Sequence, residues 1–333
     1  MIAYQELKKV YEDQLQPQLS GMEADRKTVK KWRGRALVLL AVSLLFLGVL
    51  LVSLLAATKY SIISGMFGVT FSLVVIILSL MLASIFALIA LLRYNKMKEV
   101  FKKEVITRIV ALLNPEFEYQ AKGFVPEAHY LAAGFFPDTH DRYGGDDLIT
   151  GVIDKTPFLF SDLKVEEKKN KKQMDERKVM VWKSLFKGLF FVAEFNKSLN
   201  ENTFVVPEKA HTDFLGKEKK GVNRYGKLVK LENPEFEKIF SVYGSSQQEA
   251  RYILTPAMME AIVNVHKMGG FQMMFSFVGS NVYCAIPRKR DTFEPKVSRS
   301  VEYKDVEEMY MLLHLIETII KEMNLNTRIW TKE

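Results

Sequence analysis

The sequence predicts an α+β cytoplasmic domain, its sheet mixed or mostly antiparallel with a few helices, attached to a two-helix transmembrane hairpin. Three observations carry this fold class. Between Ala36 and Leu92, 57 consecutive residues hold one formal charge, Lys59, which excludes a soluble or purely peripheral protein. Beyond Pro115 the pattern changes to short apolar runs bounded by Gly, Pro, Asn and Asp, as strands require. No regular alternation of strands with helices follows, so a βαβ architecture is not indicated.

The first apolar run, Ala36 to Thr58, has 23 residues, enough as a helix to cross a hydrocarbon core of about 30 Å. The second, Tyr60 to Leu92, has 33, with Gly65 and Gly68 placing its helical start near Ser64. A tight connection around 58–64 is expected. Acidic residues ahead of the first run, and the length of that run, argue against a cleaved signal peptide. Six basic residues from Arg26 to Arg35 precede the first helix and six from Arg93 to Arg108 follow the second, against Lys59 alone between them. Positive charge stays on the cytoplasmic side, so both termini are expected there.

The spans contain serines but no Asp, Glu, His or Arg, which disfavours ion or proton transport, since such pathways use intramembrane ionisable groups. Gly65, Gly68, Ser72, Ser79, Ala83 and Ala87 recur at helical spacing and permit close helix approach. They serve either the packing of one hairpin or a homo-oligomer. The predicted organisation is thus a cytoplasmic amphipathic helix in residues 1–35, ending near Pro17 and Gly21. The hairpin takes 36–92, a helical stalk 93–115, and the α+β domain 116–333.

In the domain, expected strands are 130–136, 148–153, 158–165, 188–195, 203–206, 227–231, 239–243, 271–278 and 282–286. Two hairpins are expected: KGLFFVAEFNK turning through 198–202 into TFVVP, and FQMMFSFV turning through Gly279 to Asn281 into VYCAI. Ser246 to Glu249 fits a capping box, Thr255-Pro256 opens a short helix that Gly269-Gly270 ends, and about 303–323 form an amphipathic helix.

Three ordered blocks, RYGGDDLITGVIDKTPFLFSDL (142–163), FKGLFFVAEFNKSLNENTFVVP (186–207) and FSVYGSSQQEARYILTPAMMEAIV (240–263), resemble the bacterial family called domain of unknown function 3137 over roughly residues 95–325. The resemblance implies a membrane-tethered domain at the bacterial cytoplasmic (inner) membrane. It brings no established activity, cofactor or catalytic residue.

Several patterns imitate known motifs. GVNRYGK has the Gly-x4-Gly-Lys of a phosphate loop, but Leu228 stands where Ser or Thr is needed and a strand, not a helix, follows. KGLFFVAE overlaps an RNA-binding signature with Leu189 and Glu194 in place of the stacking aromatics. The segment with Asp138, His140, Asp141, Asp146 and Asp147 holds enough oxygen and imidazole for a divalent metal, yet matches no metal loop and reads as a hydrogen-bonded turn. Cys284 in VYCAI reads as a buried hydrophobe, and His211, His266 and His314 are isolated. No cofactor loop emerges.

Charge is mild, with +4 of the total +8 falling in residues 93–333, too little and too dispersed for nucleic acid. Nine basic residues against four acids nevertheless crowd 164–187, including Lys168, Lys169, Lys171 and Lys172. A solvated loop is expected there, contact with anionic inner-leaflet lipid being the alternative. The function expected is a membrane-tethered binding or scaffold module, in contact with the bilayer and with other membrane proteins. Its competitor is a membrane-bound enzyme with a composite site drawn from Asp146, Asp147, Arg251 and His129.

Overall fold

The computed structural model of the chain describes residues 4–59, 62–137, 139–153, 155–172, 178–194, 199–208, 225–270, 272–289 and 291–330. It divides into two compact units, one built on Gln5–Val105 with Glu294–Tyr303, the other on Ile106–Phe293 and Lys304–Glu333.

The first unit contains two long helices. Helix α1 (Tyr4–Val10) passes through a π-helical turn, Tyr11–Leu15, into α2 (Gln16–Lys59). The helix thus does not end near Pro17 and Gly21. Proline inside an α-helix clashes with the carbonyl four residues back, and the wider π turn just ahead of Pro17 loosens the ladder where that clash would fall. Helix α3 (Ile62–Val100) runs on through a second π turn, Phe101–Ile106, into α4 (Thr107–Leu113), ending at Asn114 as the Asn-Pro pair requires.

Of the small residues expected to pack the helices, Gly68, Ser72, Ser79 and Ala83 sit between α2 and α3, whereas Ala87 is exposed. Ala36, Ser43, Ser72, Ser79, Ala83 and Ala90 are buried, Ser43 Oγ lies 2.7 Å from Ser79 Oγ, and a Cβ on Gly68 would stand 2.8 Å from Ser53 Oγ. Large apolar side chains such as Leu44 and Phe67 point outward, 70% and 77% exposed, which in water would be a severe liability. Both helices are long and apolar enough to cross a membrane. A segment from far along the chain joins the polar ends of this pair. Glu294 takes an ion pair from Lys98 and a hydrogen bond from Tyr94, the Val297 carbonyl accepts from Arg26 at 3.0 Å, and Tyr303 packs edge-on against Tyr11.

Among the described residues the second unit is built on a nine-stranded, wholly antiparallel sheet. In chain order its strands are β1 (Glu118–Gln120), β2 (Arg142–Ile153), β3 (Thr156–Lys172), β4 (Lys178–Glu194), β5 (Thr203–Pro207), β6 (Lys227–Val229), β7 (Phe240–Gly244), β8 (Met274–Val278) and β9 (Asn281–Pro287). Their spatial order is β1-β2-β3-β4-β9-β8-β5-β7-β6. The β8–β9 hairpin forms through Gly279 at φ 58° as expected. The expected β4–β5 hairpin does not form. Strand β9 takes the edge of β4, β5 pairs with β7 and β8, and ahead of β5 Leu199 N–H donates to the carbonyl of Gly279 in the β8–β9 turn at 2.9 Å. An eight-residue connection such as 195–202 is long enough to allow it.

Two other expectations also change. Residues 130–136 contain the end of helix α5 (Glu127–Ala132), opened at Pro126 and stopped by Gly134 at φ 67°, rather than a strand. The lysine-rich stretch is not a solvated loop in its described parts: Lys168, Lys169, Lys171 and Lys172 lie on β3, in register with β4. Alternation of apolar and polar residues, the usual strand signal, is missing from VEEKKNKK, so only cross-strand pairing reveals it.

Alternation puts an apolar layer on each side of the sheet. Phe186, Phe190 and Val192 of β4, Phe204 of β5 and Tyr283 of β9 pack with Val125, Tyr130, Phe135 and Phe136 from the segment around α5. On the other side Phe160 meets Phe293, and Phe240 meets Phe236 of α6 (Pro234–Glu237) and His266. Among the described residues the remaining helices are α7 (Gln247–Ile253), α8 (Pro256–Gly269) and α9 (Tyr303–Trp330). Ser246 caps α7 and Thr255 caps α8 as the sequence suggests, and Gly270 ends α8 in the left-handed conformation. Arg288, just past β9, pairs with Glu308 of α9, whose Val306, Met309, Leu313, Ile316 and Ile320 are buried.

At Gly188, φ is 148° and a Cβ would lie 2.2 Å from the Ile286 carbonyl oxygen. Gly188→Ala should destabilise the sheet by at least about 1–3 kcal/mol, the usual strain of such a backbone position, read as a lowered midpoint of denaturant unfolding in detergent.

Candidate functional site

The residues with the least expected surroundings lie where β1, β2 and β3 meet. Asp146 faces Asp162 directly across the β2–β3 ladder, and the register then shifts between Asp146 and Ile149. Like charges opposite one another on adjacent strands repel. At the bulge Asp147 adopts φ 62°, its N–H reaches the Ala121 carbonyl, and Leu148 N–H donates to the Gly123 carbonyl at 3.1 Å. The bulge turns the fully buried Asp147 carboxylate toward β1, where the Tyr119 hydroxyl donates to it. Burial first, then the Asp147 charge, pushes the Tyr119 phenol far above its ordinary value.

Asp162 is 5% exposed, and its Oδ2 has no hydrogen-bond partner. It shares one face of β3 with Phe158 and Phe160, so its side chain enters an apolar layer. Desolvation, reinforced by Asp291, Asp146 and Asp147 and opposed by Lys187, raises its carboxyl to about 7. Lys187 on β4 is itself paired with Asp291 at 2.9 Å. Close strand approach holds the arrangement: a Cβ at Gly145 would fall 2.0 Å from the Asp162 carbonyl oxygen. The neighbouring Ser161 points to the opposite face and accepts from Val125 N–H at 3.0 Å. A carboxyl poised near neutrality can hold or release a proton under physiological conditions, a property shared by catalytic acids and buried structural groups.

The other candidates are distributed over separate elements. His140 pairs with Glu127 of α5 at 2.9 Å and packs edge-on to Tyr130, while Asp141 accepts the Lys168 backbone N–H at 2.6 Å. Asp146 and Asp147 lie in a bulged strand rather than a simple turn, because the Tyr119 and backbone partners of Asp147 complete a ladder that the local sequence does not disclose. Asp138 lies outside the described residues. Among the described residues, no group of three or more His, Cys, Asp or Glu is placed to hold a metal.

The composite site is likewise spread out. Arg251 on α7 donates to the Lys230 carbonyl at 3.2 Å, and His129 on α5 lies against Tyr283, its basicity lowered by burial. Cys284 is buried on β9 and burial raises its thiol. His266 packs on Phe240, and His314 lies 3.5 Å from Glu317, while His211 is outside the described residues. Residues 221–224 of the segment resembling a phosphate loop lie outside the described residues and its Lys227 opens β6, while KGLFFVAE is core strand, with Leu189 and Phe190 fully buried.

Asp162, Tyr119, Lys187 and Asp291 are not singled out by the sequence. One signal was available for Asp162, an acid at an inward position of the apolar strand FLFSDL. The rest depend on contacts between strands and a distant loop.

Residues 184–325 match the family model described as "Protein of unknown function (DUF3137)". The DUF3137 match takes in the second and third sequence blocks and leaves RYGGDDLITGVIDKTPFLFSDL, with Asp146, Asp147 and Asp162, ahead of it. No curated protein matches the sequence. Among solved structures, the chain is similar to the crystal structure of the mycobacterial trehalose monomycolate transport factor A, TtfA. Identity is 11% and the TM-score 0.34, over 64% of this chain and 96% of that one. A likeness of that degree carries no argument about function.

The raised Asp162 carboxyl has a signed consequence. Its contribution to stability is intact below its ordinary value of 3.8 and is lost as the pH rises through about 7. Between those two values the loss amounts to about 1.4 kcal/mol for each pH unit. Asp162→Asn keeps the shape and removes the ionisation. Its unfolding free energy relative to the wild type should therefore increase by a few kcal/mol between pH 4 and 8, and a difference constant with pH would refute this.

Proposed function

We propose that the chain is a membrane-tethered binding or scaffold module of the bacterial cytoplasmic membrane. In this reading α2 and α3 cross the bilayer as a hairpin and both termini lie in the cytoplasm. One observation carries it: a pair of helices with outward apolar side chains is attached to a sheet domain with its own apolar layers. Such an anchor raises the effective concentration of the domain toward other membrane proteins by confining it to the same surface. The basic residues flanking the spans support the orientation.

A cysteine replacing Lys59, in a Cys284→Ser background, should react with an impermeant thiol reagent on intact cells, whereas a cysteine replacing Lys227 should react only after permeabilisation. The reverse result would overturn the orientation. Proximity labelling from the full-length protein should enrich specific membrane proteins over an anchor-only control; equal recovery would remove support for a scaffold.

The second reading, a membrane-bound enzyme, is favoured by Asp162, a buried carboxyl opposite Asp146 whose Oδ2 has no hydrogen-bond partner, a setting that favours its protonated form as a general acid requires. Loss of a cellular phenotype in Asp162→Asn, with folding and partner recovery unchanged, would favour the enzyme.

A further inference from the structure

We propose that the outer part of the β3–β4 ribbon is an interfacial arm that seats Met180, Val181 and Trp182 in the headgroup region of an anionic bilayer. The proposal rests on the tethered-module reading, because the membrane anchor is what keeps a bilayer within reach of the domain.

The ladders define the arm. Pairing of β2 with β3 ends at Arg142↔Glu166, and pairing of β9 with β4 begins at Gly188. Between those limits the described residues of β3 and β4 pair with each other, from Glu166↔Ser184 through Lys168↔Trp182 to Lys172↔Lys178. An irregularity at Val165/Glu166 marks where the ribbon leaves the sheet. A two-stranded ribbon has no third layer in which to bury apolar side chains. Met180, Val181 and Trp182 are nevertheless consecutive and 63%, 36% and 39% exposed. Alternation puts Met180 and Trp182 on one face and Val181 on the other. A run of exposed apolar residues on a soluble surface is a fault unless it meets something.

The surrounding charge indicates what it meets. The Arg142 guanidinium lies 3.6 Å from the Trp182 ring centroid and Lys168 Nζ 5.0 Å from it. Glu166 is matched by Lys164 at 2.9 Å, and Glu167 by Lys169 at 2.9 Å and Lys183 at 3.5 Å. The acids of the arm's base are thus neutralised within the ribbon, and residues 164–187 as a whole carry nine basic groups against four acids, these two included. An indole beside Arg and Lys, with Met and Val next to it, has the composition of a bilayer interface anchor: the ring sits at headgroup level and the cations meet lipid phosphates. Lysines alone could serve to keep the free ribbon edges from pairing with other strands. That role leaves the apolar triplet unexplained. A purely polyanionic partner such as nucleic acid would use the cations and leave Met180 and Val181 in water.

The test uses full-length protein carrying Trp32→Phe and Trp330→Phe, so that Trp182 is the sole indole. It is reconstituted into vesicles of neutral phosphatidylcholine or of phosphatidylcholine with phosphatidylglycerol. In the anionic vesicles Trp182 emission should shift to the blue and be quenched by brominated acyl chains. Both effects should weaken in 1 M salt, where screening acts over about 3 Å, and in Lys168→Gln with Lys169→Gln and Lys183→Gln at an unchanged unfolding midpoint. Absence of quenching in anionic vesicles overturns the proposal, and equal quenching in neutral vesicles overturns its electrostatic basis. If lipid quenching is absent while Trp182→Ala abolishes proximity labelling of a protein partner, the arm is a protein-docking site and the tethered-module reading survives without it.

Discussion

Strand β4 lies near the centre of the sheet and is apolar on both faces, and this double burial is the constraint on which the domain depends. Phe190 and Val192 enter the layer formed with the α5 segment, while Leu189 and Phe191 enter the opposite one. A strand buried on both sides needs a well-matched partner along each edge, because an unpaired N–H or C=O there has no water to turn to. The β8–β9 hairpin, itself apolar on both faces, meets that need and displaces the nearer strand β5 to a position two strands further out. The contact at Leu199 and the sheet order follow from it, as does the demand for glycine at Gly188, where β4 and the end of β9 come too close for a side chain.

The same sheet accommodates one group that does not suit it. Asp162 faces into an apolar layer, opposite another aspartate and beside a bulge that buries a third. Ionising it in that setting is opposed by desolvation and by the charges of Asp291, Asp146 and Asp147, and Lys187, itself paired with Asp291, offsets this only in small part. An alternative apolar residue at this position would pack without that penalty. A retained buried carboxyl therefore directs attention to a protonation-dependent role or to specification of the β2–β3 register, and these make different demands on an asparagine replacement.

Where β3 and β4 continue past their outer neighbours, the balance of forces inverts. The inner halves are held by two apolar layers, whereas the described part of the outer halves is held by cross-strand pairing and by polar contacts from Asp141 and Arg142. One pair of strands thus serves as structural centre at one end and as a basic ribbon with exposed apolar residues at the other. In the helical unit the polar ends of α2 and α3 are joined through Arg26, Tyr94 and Lys98 to residues 294–297.

By itself the sequence determined the features that depend on local composition. The apolar hairpin, the cap residues Ser246 and Thr255, the turn at Gly279 and the stripe of α9 are legible because hydrophobic burial and backbone geometry act over a few residues. The strand reading of 130–136 failed because Tyr130, Phe135 and Phe136 resemble a strand in composition, while Pro126 and Gly134 set the local backbone. Tertiary structure alone decided the partner of β4, the strand character of the lysine-rich stretch and the surroundings of Asp162. Each is a pairing between segments distant in sequence, and its free energy comes from burial and register across strands rather than from the propensity of either segment.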